Sequence, residues 1–241
     1  MAAERSVDVI WMRPGHGGGG RPAQRSRGQI TAAAIAIADR DGLDAVSMRA
    51  VAAALGTGAA SLYRYIETRE DLLDLMADAA GAEYEFAAAT GDWVADLIAV
   101  GQQARAIMRR HPWLAALVIA RPVLGPHGLT LLERVLSLLE GCPASLPAKL
   151  DAFAMLNAMT ALFAQNELGG GPGTARNAAY LAHVLAAGQH PRLAELLAPG
   201  PGNETVPGPA SGGATDRYPD IMARVLTGLL APGRAGCTWG G

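Results

Sequence analysis

Residues 47–75, SMRAVAAALGTGAASLYRYIETREDLLDL, restrict the possible folds of this chain more than any other segment. Ser47 is a good N-cap for a short helix over 48–55. Gly56-Thr57-Gly58 turns the chain, and a second short helix follows over 59–65. Thr68-Arg69-Glu70-Asp71 then has the pattern of a capping box, with acids in the first turn where the helix dipole favours them. Two short helices about a glycine-containing turn are the layout of a helix-turn-helix DNA reader. Val51, Leu55 and Leu62 can point inward together and fix the crossing. Ala59, Ala60, Ser61, Tyr63 and Tyr65 are then left for a major groove, where tyrosine hydroxyls reach phosphates and serine reaches backbone or base. A helical hairpin whose tyrosines only shelter a small core is the weaker alternative, because Arg49, Arg64 and Arg69 recur where a DNA backbone would pass.

The rest of the chain reads as helix. Half of its residues are hydrophobic and only 5% are aromatic, a balance that favours helix over sheet. Upstream, Ile30, Ala33, Ala34, Ile37 and Ala38 form the stripe of an amphipathic helix over 30–40, stopped by Asp41-Gly42. Downstream, the third helix of the head is predicted to run to about residue 89. Further helices are predicted at 93–110, 112–120, 128–140, 146–168, 175–187, 191–198 and 218–230. The expected fold is all-α. A flexible extension (1–20) precedes a helix-turn-helix domain (21–76) and a larger helical domain (77–231), which carries a mobile Gly/Pro-rich loop (199–215) before the tail (232–241).

Several classes of function are disfavoured. The net charge of −2 lacks the basic surplus common in nucleic-acid binders, although a small basic head can sit on an acidic body. Cys142 and Cys237 are isolated and read as reduced thiols rather than metal ligands. No apolar run reaches the roughly 18 residues of a membrane span, so a cytoplasmic protein without membrane partners is expected. No HExxH, GxxxxGK or GxSxG pattern is present, and neither enzyme activity, metal nor cofactor is expected.

The predicted helix 146–168 is apolar on nearly all sides and must be buried on two fronts. One front suits a symmetry mate, with the helix at 218–230 completing a four-helix interface in a homodimer. A monomeric core is the alternative. A ligand pocket is expected among the helices 93–110, 113–120, 129–140 and 147–168. Its candidate lining is Trp93, Gln103, Met108, Trp113, Met155, Asn157, Met159 and Phe163, although such methionines and aromatics are more often plain core. The few polar groups suggest a largely apolar effector.

The continuous stretch over about 28–76 resembles the N-terminal domain of the TetR family of transcriptional regulators. The resemblance is carried by Gly42-Leu43-Asp44-Ala45, Ser47-Met48-Arg49, Val51-Ala52, Leu55-Gly56 and Leu62-Tyr63-Arg64-Tyr65. Through Trp93, His111-Pro112-Trp113-Leu114, Arg121-Pro122 and Leu124-Gly125-Pro126, the body resembles the C-terminal domain of the tetracycline-repressor-like branch. The resemblance implies a homodimer on a palindromic operator in double-stranded DNA, with a small-molecule site in the body. It implies base or phosphate contact for Arg49, base-facing positions for Ala59, Ala60 and Ser61, and backbone contact for Tyr63 and Tyr65. It also implies a phosphate for Arg69, a hydroxyl contact from Ser47, and a basic arm of Arg21, Arg25 and Arg27 laid along the DNA. One departure is plain: the recognition helix begins Gly58-Ala59-Ala60, and alanine offers a thymine methyl contact but no hydrogen bond. Arg49 is therefore expected to carry more than the usual share of specificity. The expected function is that of a repressor released by an effector. A constitutive dimeric regulator with no ligand is the alternative, and an enzyme or carrier on a helix-turn-helix fold is a weaker one.

Overall fold

The computed structural model describes residues 9–13, 26–120, 124–168, 172–197 and 216–231. Arg21 and Arg25 of the expected arm, Arg121-Pro122, Cys237, the loop 199–215 and the tail 232–241 lie outside the described residues. The described residues form helices and no strand. The head comprises α1 (Arg27–Asp41), α2 (Met48–Ala54), α3 (Ala59–Leu62) and the start of α4 (Arg69–Gly81).

Local chemistry sets these helix starts. At α1, Ser26 and Gln29 exchange side chain-to-backbone bonds of 3.2 and 3.0 Å, and at α4 Thr68 and Asp71 do the same at 2.9 and 3.1 Å. Ser47 caps α2 by accepting from the Ala50 amide at 3.1 Å. Gly56 takes φ +64° in the turn between α2 and α3, a left-handed conformation that a side chain would strain. Thr68→Ala removes an N-cap oxygen at the helix that leaves the head, and should cost about 1 kcal/mol of stability. Urea unfolding of that variant beside Thr68→Ser, which keeps the hydroxyl, checks the value.

The body contains α5 (Trp93–Arg110), α6 (Pro112–Ala120), α7 (Pro126–Leu138), α8 (Leu146–Leu168) and α11 (Tyr218–Leu230), with α5, α6 and α11 all packed on α8. The helices α9 (Pro172–Ala186) and α10 (Pro191–Leu197) pack on each other. Two apolar clusters hold the chain together. The first runs from Ile30, Val51, Leu62, Ile66 and Met76 of the head into Trp113, Leu114 and Ala164 of the body. The second joins Leu97, Val135, Leu156, Met222 and Leu226. Head and body therefore share a continuous core. At Gly101 a Cβ would lie 1.9 Å from the Tyr218 hydroxyl and 2.8 Å from Leu156, so α5 approaches α11 and α8 as closely as it does only through this glycine.

Two expectations need correction. The helix leaving the head ends at Gly81, not near residue 89. The Gln103 side chain clasps the Glu85 backbone at both N and O, 2.8 Å each, and Arg134 donates to the Ala87 carbonyl. These long-range bonds hold as a strap residues that could otherwise have stayed helical. Within the N-terminal extension, expected to be flexible, residues 9–13 are docked. Ile10–Met12 forms a 3-10 turn docked on the head, with Ile10 buried and Arg13 donating to Asp71 at 3.0 Å.

Candidate nucleic-acid interface and effector cavity

In the helix-turn-helix unit Val51 and Leu62 are fully buried and Leu55 packs against them, as the sequence pattern requires. Ser47, Arg49, Ala60, Tyr63 and Arg64 are exposed, and Ala59 and Ser61 are half-buried. No hydrogen bond or ion pair among the described residues occupies the guanidinium of Arg49 or of Arg64. Ser61 is partly occupied: its hydroxyl donates to the Gly58 carbonyl at 2.7 Å and lies 2.9 Å from Thr57 Oγ1. The surface offered to a groove thus holds Arg49 at the start of α2, small side chains on α3, and Tyr63 and Arg64 just beyond.

Three expected DNA contacts are placed otherwise. Tyr65 is only 9% exposed and belongs to the head core. Arg27 directs its guanidinium inward to the carbonyls of Tyr65, Ile10 and Arg13 at 2.9–3.1 Å, which ties the docked N-terminal turn to α1. Arg69 donates to the carbonyls of Val46 and Leu43 at 3.3 and 3.2 Å, bracing α4 against the connection between α1 and α2. The residue types suit DNA, but core packing takes the Tyr65 ring, and backbone carbonyls within the fold engage Arg27 and Arg69.

In the body, a cavity of about 420 Å³ opens between α4, α5, α6, α7 and α8. This is a ligand-sized space. Its walls are Ala77, Asp78, Ala80 and Gly81 from α4, with Tyr84 beyond them. From α5 and α6 come Ala104, Ile107, Met108, Leu114, Val118 and Ile119. Leu124, Gly128 and Leu131 close the α7 side, and Phe153, Ala154, Asn157 and Ala158 the α8 side. The polar groups are few. Asp78 is 7% exposed and its Oδ1 accepts the His127 and Gly128 amides at 3.0 Å each, holding α4 to the first turn of α7. Burial, and secondarily the charge of Tyr218, pushes the Tyr84 hydroxyl above the ordinary tyrosine range, so it stays neutral.

Of the expected lining residues, Met108 and Asn157 stand on this wall. The other six do not. Gln103 is held by the Glu85 strap, and Met155 projects outward at 45% exposure. Trp113 is buried and donates its indole N–H to Asp39 at 2.7 Å. Trp93, Met159 and Phe163 are partly buried and pack against the second core, Phe163 edge-on to Tyr218. The contribution of α4 to the wall went unforeseen. Its Ala77, Ala80 and Gly81 carry no feature that singles them out in sequence.

A helix-turn-helix head whose last helix becomes one wall of a cavity places the chain in the class of all-helical proteins with a helix-turn-helix head. Comparison with known proteins gives the family. Residues 30–76 match the model of bacterial regulatory proteins of the tetR family, and residues 87–231 match the tetracyclin repressor-like C-terminal domain. The chain belongs to the TetR family. It is 36% identical over 166 residues to the HTH-type transcriptional repressor DrrR1 of Streptomyces coeruleorubidus, a match covering 68% of this chain and 62% of that protein. It is also 36% identical over 134 residues to an HTH-type transcriptional regulator of Saccharopolyspora erythraea, covering 55% of this chain and 56% of that one. The chain thus spans somewhat under two thirds of the length of these relatives. Among solved structures it is similar to the TetR family protein ActR of Streptomyces coelicolor in complex with actinorhodin, with a TM-score of 0.71 at 29% identity, covering 89% of this chain and 100% of that one. A second ActR structure, in complex with (S)-DNPA, gives a TM-score of 0.70 at 29% identity, covering 85% of this chain and 97% of that one. These are regulators and not enzymes. Among the described residues no helix is long and apolar enough to cross a membrane, and no cluster of His, Cys, Asp or Glu is arranged to hold a metal ion.

Proposed function

We propose that the protein is a homodimeric transcriptional repressor that leaves a palindromic operator when a small, largely apolar effector enters the cavity. The observation that carries this reading is the course of α4. It begins at Arg69, braced on the head, and ends at Gly81 on the cavity wall, so one rigid element touches both sites. An effector need only bind the two head positions with different affinity to shift the population between them. ActR, of similar fold, has been crystallised with actinorhodin and with (S)-DNPA, which supports a ligand role for the body. Dimerisation is supported by α8, where Met155 and Leu162, two turns apart on one face, are 45–46% exposed and offer apolar surface to a second copy.

On the DNA, Ser47, Arg49, Ala60, Tyr63 and Arg64 form the reading surface, with Ala59 and Ser61 at its edge. Arg49→Ala should weaken operator binding about tenfold, on the order of 1.4 kcal/mol, and relax one base position per half-site. Fluorescence anisotropy on fragments of the promoter region, with selection from a randomised operator, measures both effects. Equal weakening on operator and random DNA would show that Arg49 only grips phosphate. The repressor reading is tested by titrating apolar metabolites and antibiotics into the protein–operator complex. An effector that stabilises the protein to heat yet leaves the complex intact at saturation would sink it.

A further inference from the structure

The cavity wall is chemically lopsided. Among its described residues Asp78 is the one charged group and no cation faces it. Both amides that Asp78 accepts, from His127 and Gly128, go to Oδ1, and Oδ2 accepts no hydrogen bond among the described residues. A carboxylate oxygen at the edge of an apolar cavity gains from a donor and gains most from a cation, since charge-assisted bonds are strongest where water is scarce. A ligand anion at the same place would meet Asp78 with no described positive side chain to offset the repulsion. The neutral polar groups, Asn157 and the Tyr84 hydroxyl, can orient a ligand but cannot reverse this preference. Around them Ala77, Ala80 and Gly81 on α4 and Ala154 and Ala158 on α8 line the space with short side chains.

We propose that the effector of this cavity is a rigid, largely apolar molecule bearing one cationic group, a protonated amine above all, which seats against Asp78. This rests on the reading of the cavity as the effector site. It also gives the effector a grip on the residue that ties α4 to the first turn of α7, and so on the element that runs to the head.

Three tricyclic probes of matched shape test it on the full chain without DNA: 9-aminoacridine as the cation, acridine as the neutral form and 9-anthracenecarboxylate as the anion. Dissociation constants are measured at pH 7.5 by calorimetry on the wild type, on Asp78→Asn and on the cavity-filling variant Ala154→Trp. The expected result is that the cation binds at least about tenfold tighter than the anion, equivalent to about 1.4 kcal/mol. Asp78→Asn, whose Oδ1 can still accept both amides, should shrink that ratio to about threefold or less. The wild-type comparison stands alone should this variant fold poorly. An anion that binds as well as the cation, or a ratio unchanged in Asp78→Asn, overturns the proposal while leaving the cavity reading intact, provided Ala154→Trp abolishes binding. If no probe binds the wild type, or if Ala154→Trp leaves all binding in place, the cavity reading falls and this inference with it.

Discussion

Arg105→Ala should lower the free energy of unfolding by about 3 kcal/mol, near the bottom of the range for breaking a buried ion pair. Arg105 is 8% exposed on α5. It donates to Glu167 on α8 at 2.5 Å and to Asp216, just before α11, at 2.6 Å. Its guanidinium also lies 5.0 Å from the centre of the Tyr218 ring, whose hydroxyl is 2.7 Å from Thr160 Oγ1. One cation thus joins three of the helices of the second core, α5, α8 and α11. The low end of the range is expected because the Asp216 side chain is 52% exposed, and because Glu167 keeps a 2.8 Å bond to Arg109. The hydrogen bond from Arg105, opposed by partial burial, holds the Asp216 carboxyl below its ordinary pKa of 3.8. Its contribution is therefore present above that unfolded value and is lost as pH falls through the folded one. Urea unfolding of wild type and Arg105→Ala at neutral pH measures the loss. A difference below about 1 kcal/mol would place this group with surface pairs instead.

Local signals made the head legible in sequence. Ser47 and Thr68 announce their helices by chemistry that acts over three residues, and Gly56 marks the turn by the conformation it alone adopts easily. Long-range bonds decided the rest. Arg27 and Arg69 read as DNA contacts because arginine suits phosphate, yet carbonyls brought near by folding engage them. Gln103 reads as a pocket residue, but its amide matches the backbone of Glu85, eighteen positions earlier, and ends a helix that residues 82–89 could have continued. The lining of the cavity is hard to read from sequence for a physical reason. Large soft residues such as Phe163 and Met159 draw attention, and large residues are what fill space. An opening is left where side chains are short, as at Ala77, Gly81, Ala154 and Ala158, and alanine in a helix sends no signal.

The second large effect is expected at the joint of head and body. His111, at the corner between α5 and α6, places Nδ1 2.8 Å from Asp39 of α1 and Nε2 2.7 Å from Glu83, just beyond α4. A neutral imidazole carries one N–H and cannot donate to both carboxylates, so this geometry requires the imidazolium. Arg110 also donates to Glu83, at 3.0 Å through Nε, and the Trp113 indole shares Asp39 Oδ1. Partial burial pulls the His111 pKa down, but the hydrogen bonds and charges of Asp39 and Glu83 outweigh it, and the net shift is upward from 6.5. A raised folded pKa means that the stabilisation is complete below the unfolded value and is lost as pH rises through the folded one. Glu83 sets the other limit. Burial opposes ionisation there, yet Arg110 and His111 hold its pKa below 4.5, so its share is lost as pH falls through that lowered value. The clasp is thus strongest between about pH 4.5 and 6.5 and loosens on the alkaline side. His111→Gln can serve only one carboxylate as donor and should cost about 2 kcal/mol at pH 6, the scale of hydrogen bonds to charged groups discounted for two carboxylates that are one-third exposed. The gap between wild type and variant should narrow at pH values above the folded pKa, and a pH series of urea unfolding reads it directly. A gap of constant size from pH 6 to pH 9 would mean that packing, and not the imidazolium, makes the joint. With the clasp in place, α1, the end of α4 and the corner between α5 and α6 move as one, which requires any turn of the head relative to the cavity to break or stretch these bonds.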